Sequence, residues 1–217
     1  MQKFIVVCRA RSGSEALMNC VKQHPDINVY GEIFNYYRKT NLFCKKEGLP
    51  YLDYEENSLL FSKNNCIEAH KKYDGFKLLL CHLNEDVADY LKEVYVFSLY
   101  RENLLEMHVS YLVALQTKVW AKNNKEFTGT VTVDIDLLEK DILSTKKQYS
   151  DIEQHVDRKL YYKDGVIKNS QIIFESLNLK EFTPNVEDKK RILRPMSDVI
   201  ENYDEVKHFD HSEYFHR

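Results

Sequence analysis

The 217-residue sequence predicts an α/β fold of three layers, a mostly parallel central sheet with helices on both faces. Three observations predict it. Short, continuous apolar runs recur along the chain, the pattern of parallel strands covered on both sides. Segments with apolar residues at helical spacing separate them. The first run ends directly in a polar loop that opens a helix, the strand-loop-helix order of an open α/β sheet.

In chain order, Phe4 to Cys8 is the first buried strand, followed by the polar turn Arg9-Ala10-Arg11-Ser12-Gly13-Ser14. Ala16, Leu17, Cys20 and Val21 then mark a helix that stops at His24-Pro25, because proline cannot continue it. Residues 35–58 are rich in tyrosine and poorly periodic, and read as an irregular excursion with short helices. A helix is expected over 58–73, a strand over 76–81 introduced by Gly75, a helix over 85–92 and a strand over 94–99. Leu104, Leu105, His108, Tyr111, Leu112 and Leu115 mark a long helix running to about Trp120. The remainder reads as a short strand at 130–133, a charged amphipathic helix at 136–154, a strand at 159–162 and a helix at 166–177. No Pro/Gly/Ser-rich linker interrupts the chain, so one domain over 1–217 is expected.

Composition removes several function classes. The chain carries 31 Lys and Arg against 34 Asp and Glu, a net charge of -3, without the basic surplus that nucleic-acid binding requires. Cys8, Cys20, Cys44, Cys66 and Cys81 are odd in number, with no C-x-x-C pair, and read as free thiols of a reducing, cytoplasmic compartment. No apolar run approaches the length of about 18 residues needed to span a bilayer. No two of the six glycines lie close enough for G-x-G-x-x-G or for the Walker G-x-x-x-x-G-K.

The loop after the first strand is the strongest chemical signal. A helix N-terminus presents amides with partial positive charge, Gly13 permits close backbone approach, Ser12 and Ser14 add hydroxyl donors, and Arg11 adds a charged fork. Together they suit a phosphate or sulfate. On their own they also fit a capped helix with a solvated arginine. A second arginine, Arg101, closes a later strand and feeds a helix carrying Ser110.

This pairing resembles the sulfotransferases that use 3'-phosphoadenosine 5'-phosphosulfate (PAPS). His24-Pro25, Gly31-Glu32-Ile33-Phe34 and the Arg101-to-Trp120 helix, ending Leu-Gln-Thr-Lys-Val-Trp, are similar to the bacterial carbohydrate enzymes of trehalose type. Arg194-Pro195 and residues 198–203 are similar to the closing segment of such chains. Arg101 and Ser110 stand one position further apart than in animal cytosolic members, and Arg11 occupies the place of their loop lysine. The resemblance implies a P-loop nucleoside triphosphate hydrolase-like fold and sulfuryl transfer to an acceptor hydroxyl, on a carbohydrate or glycolipid, without a metal.

It also implies residue roles. Arg11, Ser12, Gly13 and Ser14 would grip the 5'-phosphosulfate, Arg101 and Ser110 the 3'-phosphate, and Glu32 would be the base, with Arg11 also neutralising the leaving group. His70 and His82 are competing bases, and Lys77 is a further cation with two readings, facing the donor or snorkelling out of an apolar strand. Tyr36, Tyr37, Phe43, Tyr51 and Tyr54 could stack on a sugar or pack beneath a loop. His208, His211 and His216 lack a zinc spacing, and no metal site is expected. A small-molecule kinase of related fold, or a non-catalytic nucleotide- or glycan-binding protein, are the competing readings. The acceptor and the oligomeric state are not legible.

Overall fold

The computed structural model describes residues 1–34, 61–119, 126–186, 192 and 194–210. Five strands form one parallel sheet: β1 (Phe4–Cys8), β2 (Val29–Glu32), β3 (Gly75–Leu79), β4 (Tyr95–Tyr100) and β5 (Arg158–Tyr161), in the spatial order β2-β3-β1-β4-β5. All five residues of β1 are buried, as befits the central strand. Its side chains alternate between two cores, Ile5 and Val7 on one face, Phe4, Val6 and Cys8 on the other. That two-sided burial is why the sequence shows a solid apolar run.

Helices α1 (Ser14–Val21) and, near the C-terminus, α6 (Val166–Ser176) cover the Phe4 face. Helices α2 (Lys63–His70), α3 (Glu85–Leu91) and α5 (Ile135–Ile152) supply the opposite face. Helix α4 (Leu104–Thr117) builds a third core with the N-terminal half of α5, through Leu138 and Ile142, and with two short helices, α7 (Met196–Val199) and α8 (Tyr203–Val206). Ser62, Asn84, Asn103 and Asp134 each accept an amide hydrogen bond at the start of α2, α3, α4 and α5, which fixes those starts.

Three sequence expectations change. Val29–Glu32 is an edge strand that was not expected: it is four residues long, and only Val29 of the four is buried. The strand expected at 130–133 makes only an isolated bridge, Val131 to Ile200, because its apolar side chains are taken up by the third core. The helix expected from 58 begins at Lys63, and the 35–58 excursion lies outside the described residues.

Gly75 opens β3 where the Phe4 ring crosses its backbone; a Cβ there would lie 2.2 Å from the ring. Phe4 is fully buried and packs edge-on against Phe97, with ring centroids 5.9 Å apart. Gly75→Ala is therefore expected to destabilise the fold by about 2 kcal/mol through overpacking, read as a lower urea midpoint. Phe4→Leu in the same chain should recover part of the loss, and an unchanged midpoint in the single variant would contradict this packing.

Candidate functional site

The chain leaves β1 and β4 in opposite directions, β1 toward β2 and β4 toward β5, so the loops after these neighbouring strands diverge and leave a crevice at their carboxyl ends. The first loop holds two left-handed residues, Arg11 at φ 66° and Gly13 at φ 85°. Gly13 is the N-cap of α1 and, having no side chain, leaves the first amides of the helix without a capping hydrogen bond from that position. Ser12 and Ser14 are buried beside the Cys8 thiol, and among the described residues the Ser12 hydroxyl has no nitrogen or oxygen partner. A buried donor left without such a partner in a cradle of this kind fits an oxyanion that completes it.

The second arginine meets the first. Arg101 donates from Nη1 to the carbonyl of Arg11 at 2.8 Å, and Arg11 Nε donates to Ser110 Oγ at 3.0 Å. Arg11, Arg101 and Ser110 thus come together beyond the carboxyl ends of β1 and β4, although 99 residues separate Arg11 from Ser110. Arg101 also pairs with Glu106 at 2.9 Å and lies 4.6 Å over the Tyr162 ring. Its Nε is buried without a hydrogen-bond partner among the described residues.

Glu32 ends β2, two strands away from β1. Its side chain is 11% exposed and its carboxylate lies 3.3 Å from Lys77 Nζ, which lies 3.3 Å from Glu15 in the first turn of α1 as well. Lys77 points to the α1 side because its β1 neighbour is Val6, a residue of that face. One ammonium therefore links Glu32 to the helix that the first loop opens. Burial alone would make Lys77 lose its proton more readily; the carboxylates of Glu32 and Glu15, with the Cys8 sulfur, reverse that and raise its pKa.

The two histidines separate. His82 lies beside Glu32, Nε2 to Oε1 at 3.9 Å, but its Nδ1 accepts the Leu79 amide at 3.1 Å. The proton is therefore on Nε2, and burial, aided by Lys77, lowers the pKa to about 3. With its lone pair already used, His82 is poorly placed to take a proton. His70 bonds the Phe4 carbonyl at 3.2 Å and the Tyr90 hydroxyl at 2.6 Å, at the amino end of β1, the far edge of the sheet from the crevice.

Sequence reasoning missed what anchors the loop. Arg9 forms an ion pair with Asp141 of α5, which His108 of α4 joins at 3.1 Å, and the Arg9 amide donates to Tyr149 Oη at 3.2 Å. Asp141 is buried enough to favour its neutral form, yet His108 and Arg9 hold its pKa below the usual range. The Arg-x-Arg repeat was visible, but no local signal reveals a partner 132 residues away.

His24, part of the resemblance, bonds the Lys180 carbonyl at 3.0 Å and packs on Phe174 and Phe182, so it latches the end of α1 to the C-terminal half. Tyr36, Tyr37, Phe43, Tyr51, Tyr54, His211 and His216 lie outside the described residues. Among the described residues no cluster of histidine, cysteine and carboxylate side chains suits a metal ion, and no helix is long and apolar enough to cross a membrane.

No protein-family model matches the sequence, and no curated protein does. Solved structures do. A sulfotransferase from Alicyclobacillus acidocaldarius is similar over 88% of this chain and 86% of its own, with a TM-score of 0.52 at 9% identity. A shikimate kinase from Bacteroides thetaiotaomicron is similar over 82% of this chain and 99% of its own, with a TM-score of 0.50 at 10% identity. Identities this low speak to fold. The chain has the P-loop nucleoside triphosphate hydrolase-like fold that a sulfotransferase and a kinase share.

Proposed function

We propose that this chain is a PAPS-dependent sulfotransferase of one domain, acting on an acceptor hydroxyl of a carbohydrate or glycolipid, similar to the trehalose-type bacterial enzymes. The observation that carries the reading is the contact of the two arginine-serine segments: Arg101 to the Arg11 carbonyl, and Arg11 to Ser110. A nucleotide with phosphates at both ends needs two oxyanion cradles close together, and this pairing supports it. The fit is further supported by two buried donor groups that have no nitrogen or oxygen partner among the described residues, the Ser12 hydroxyl and Arg101 Nε.

When bound, PAPS supplies the sulfuryl group and a phosphate leaving group. Arg11, Ser12, Gly13 and Ser14 hold the 5' end, with Arg11 opposing the charge that grows on the departing phosphate. Arg101 and Ser110 hold the 3'-phosphate. Glu32 accepts the proton of the acceptor hydroxyl as its oxygen bonds sulfur and the bond from sulfur to the leaving oxygen breaks. Lys77 keeps the Glu32 carboxylate oriented toward α1, and His82 stays neutral beside it.

The kinase reading shares the fold but lacks a Walker glycine-lysine motif in this sequence. Calorimetric titration with 3',5'-adenosine bisphosphate and with ATP separates the two. The bisphosphate is expected to bind at least tenfold more tightly, and Arg11→Ala is expected to weaken it by tenfold or more. Preference for ATP would favour the kinase, and bisphosphate binding with no transfer to any glycan, lipid or phenol acceptor would favour a binding protein.

A further inference from the structure

We infer that Tyr162 is a positioning residue for the donor loop, the surface on which the left-handed Arg11-Ser12-Gly13 turn and the Arg101 guanidinium are both seated. The inference of a loop support stands on geometry alone; its consequence for nucleotide binding rests on the function proposed above.

Tyr162 begins the 3-10 turn, Tyr162–Asp164, that follows β5. Its ring carbons lie 2.6 Å from where a Gly13 Cβ would be, so the ring presses on the backbone of the second left-handed residue. The same ring carries the Arg101 guanidinium, 4.6 Å from its centroid, a cation-π distance. Arg101 in turn donates to the carbonyl of Arg11, the first left-handed residue. A non-glycine residue at φ 66° is held against a steric preference for other backbone regions, and it persists only where its surroundings fix it.

The turn is itself latched. Next to Tyr162, the Lys163 amide donates to Glu102 Oε2 at 3.4 Å and Lys163 Nζ lies 3.8 Å from Glu102 Oε1. Two consecutive residues at the end of β4, Arg101 and Glu102, thus engage two consecutive residues at the end of β5, Tyr162 and Lys163. Glu102 is 2% exposed, and its burial gives this latch little freedom to slide. The support reaches the loop from the sheet edge through Tyr162, Glu102 and Lys163, to which the proposed function gives no contact with the nucleotide, and through Arg101, to which it does.

Amide hydrogen exchange on the full chain tests the inference without any ligand. In Tyr162→Leu, the amides of residues 10–14 are expected to exchange at least tenfold faster while those of β1, β3 and β4 keep their rates. Tyr162→Phe, which keeps the ring, should restore the slow rates. Unchanged exchange at 10–14 in the leucine variant would overturn the inference, as would an acceleration spread evenly over the sheet. Titration with 3',5'-adenosine bisphosphate is the second readout, expected to show at least tenfold weaker binding to the leucine variant and wild-type binding to the phenylalanine one. Equal binding to wild type and the leucine variant would overturn the role. Faster exchange at 10–14 in a protein whose wild type ignores the bisphosphate would uphold the support and overturn the nucleotide reading instead.

Discussion

Glu32→Gln is expected to lower kcat for sulfuryl transfer by about 10²- to 10⁴-fold while leaving bisphosphate affinity within about threefold, the range that loss of a positioned base produces. Glutamine keeps the size and one oxygen but has no negative charge to receive the hydroxyl proton. The donor cradle does not include Glu32; the two meet only through Lys77, which retains Glu15 as a partner. The effect should therefore fall on turnover. His82→Asn supplies the contrast: Asn Oδ1 can take over acceptance of the Leu79 amide, and since His82 already uses its lone pair there, kcat is expected to change by less than about tenfold. Stopped transfer in His82→Asn with full transfer in Glu32→Gln would reverse the two assignments. Measuring kcat and KM for both variants on any acceptor found active is sufficient.

β1, β3 and β4 were legible because each is a largely apolar run buried along most of its length, and the helices because their spacing is helical; β5, in which only Leu160 is buried, was placed one residue late, at 159–162. Val29–Glu32 escaped because it is only four residues long and contains a tyrosine, a glycine and a charge, with no apolar run to see. Glu32 was therefore singled out by resemblance while its placement, the end of a strand, was not foreseen. The loop was readable because its chemistry is consecutive in the chain: arginine, serine, glycine and serine in four positions. Its supports were not. Tyr162, Asp141 and Lys77 reach Arg101, Arg9 and Glu15 from the turn after β5, from α5 and from β3, and nothing local to a tyrosine after a strand or an aspartate on a charged helix marks a long-range partner. Lys77 shows the same limit in another way: a lysine inside an apolar run reads equally as a snorkelling side chain, and only the register beside Val6 decides which face it serves.

Acid is expected to destabilise the protein well before its carboxylates titrate, because two buried histidines are held neutral. Burial lowers His70 to about 4, against a partly compensating bond to the Phe4 carbonyl, and burial with Lys77 lowers His82 to about 3. In the unfolded chain both titrate near 6.5. Between those values the unfolded state binds more protons than the folded one, so stability rises with pH and is lost as pH falls below 6.5. The loss stops growing near pH 4 for His70 and near pH 3 for His82. At pH 5 each ring withdraws about 2 kcal/mol relative to pH 7.5, a large share of a typical domain's stability. Asp74 and Asp141, whose pKa values lie below the usual carboxylate range despite their partial burial, lose their contributions only below about pH 4, so pH 5 isolates the histidines. Geometry gives the same sign. His70 has Nε2–H on a carbonyl and Nδ1 on the Tyr90 hydroxyl, and a proton added to His82 Nδ1 would face the Leu79 amide hydrogen. Urea midpoints at pH 7.5 and 5 read the effect, which His70→Gln and His82→Asn should each reduce: glutamine can still donate to the Phe4 carbonyl, and neither replacement binds a proton. If the wild-type midpoint is the same at both values, or if the double variant remains as acid-sensitive as the wild type, the neutral histidines are not the cause.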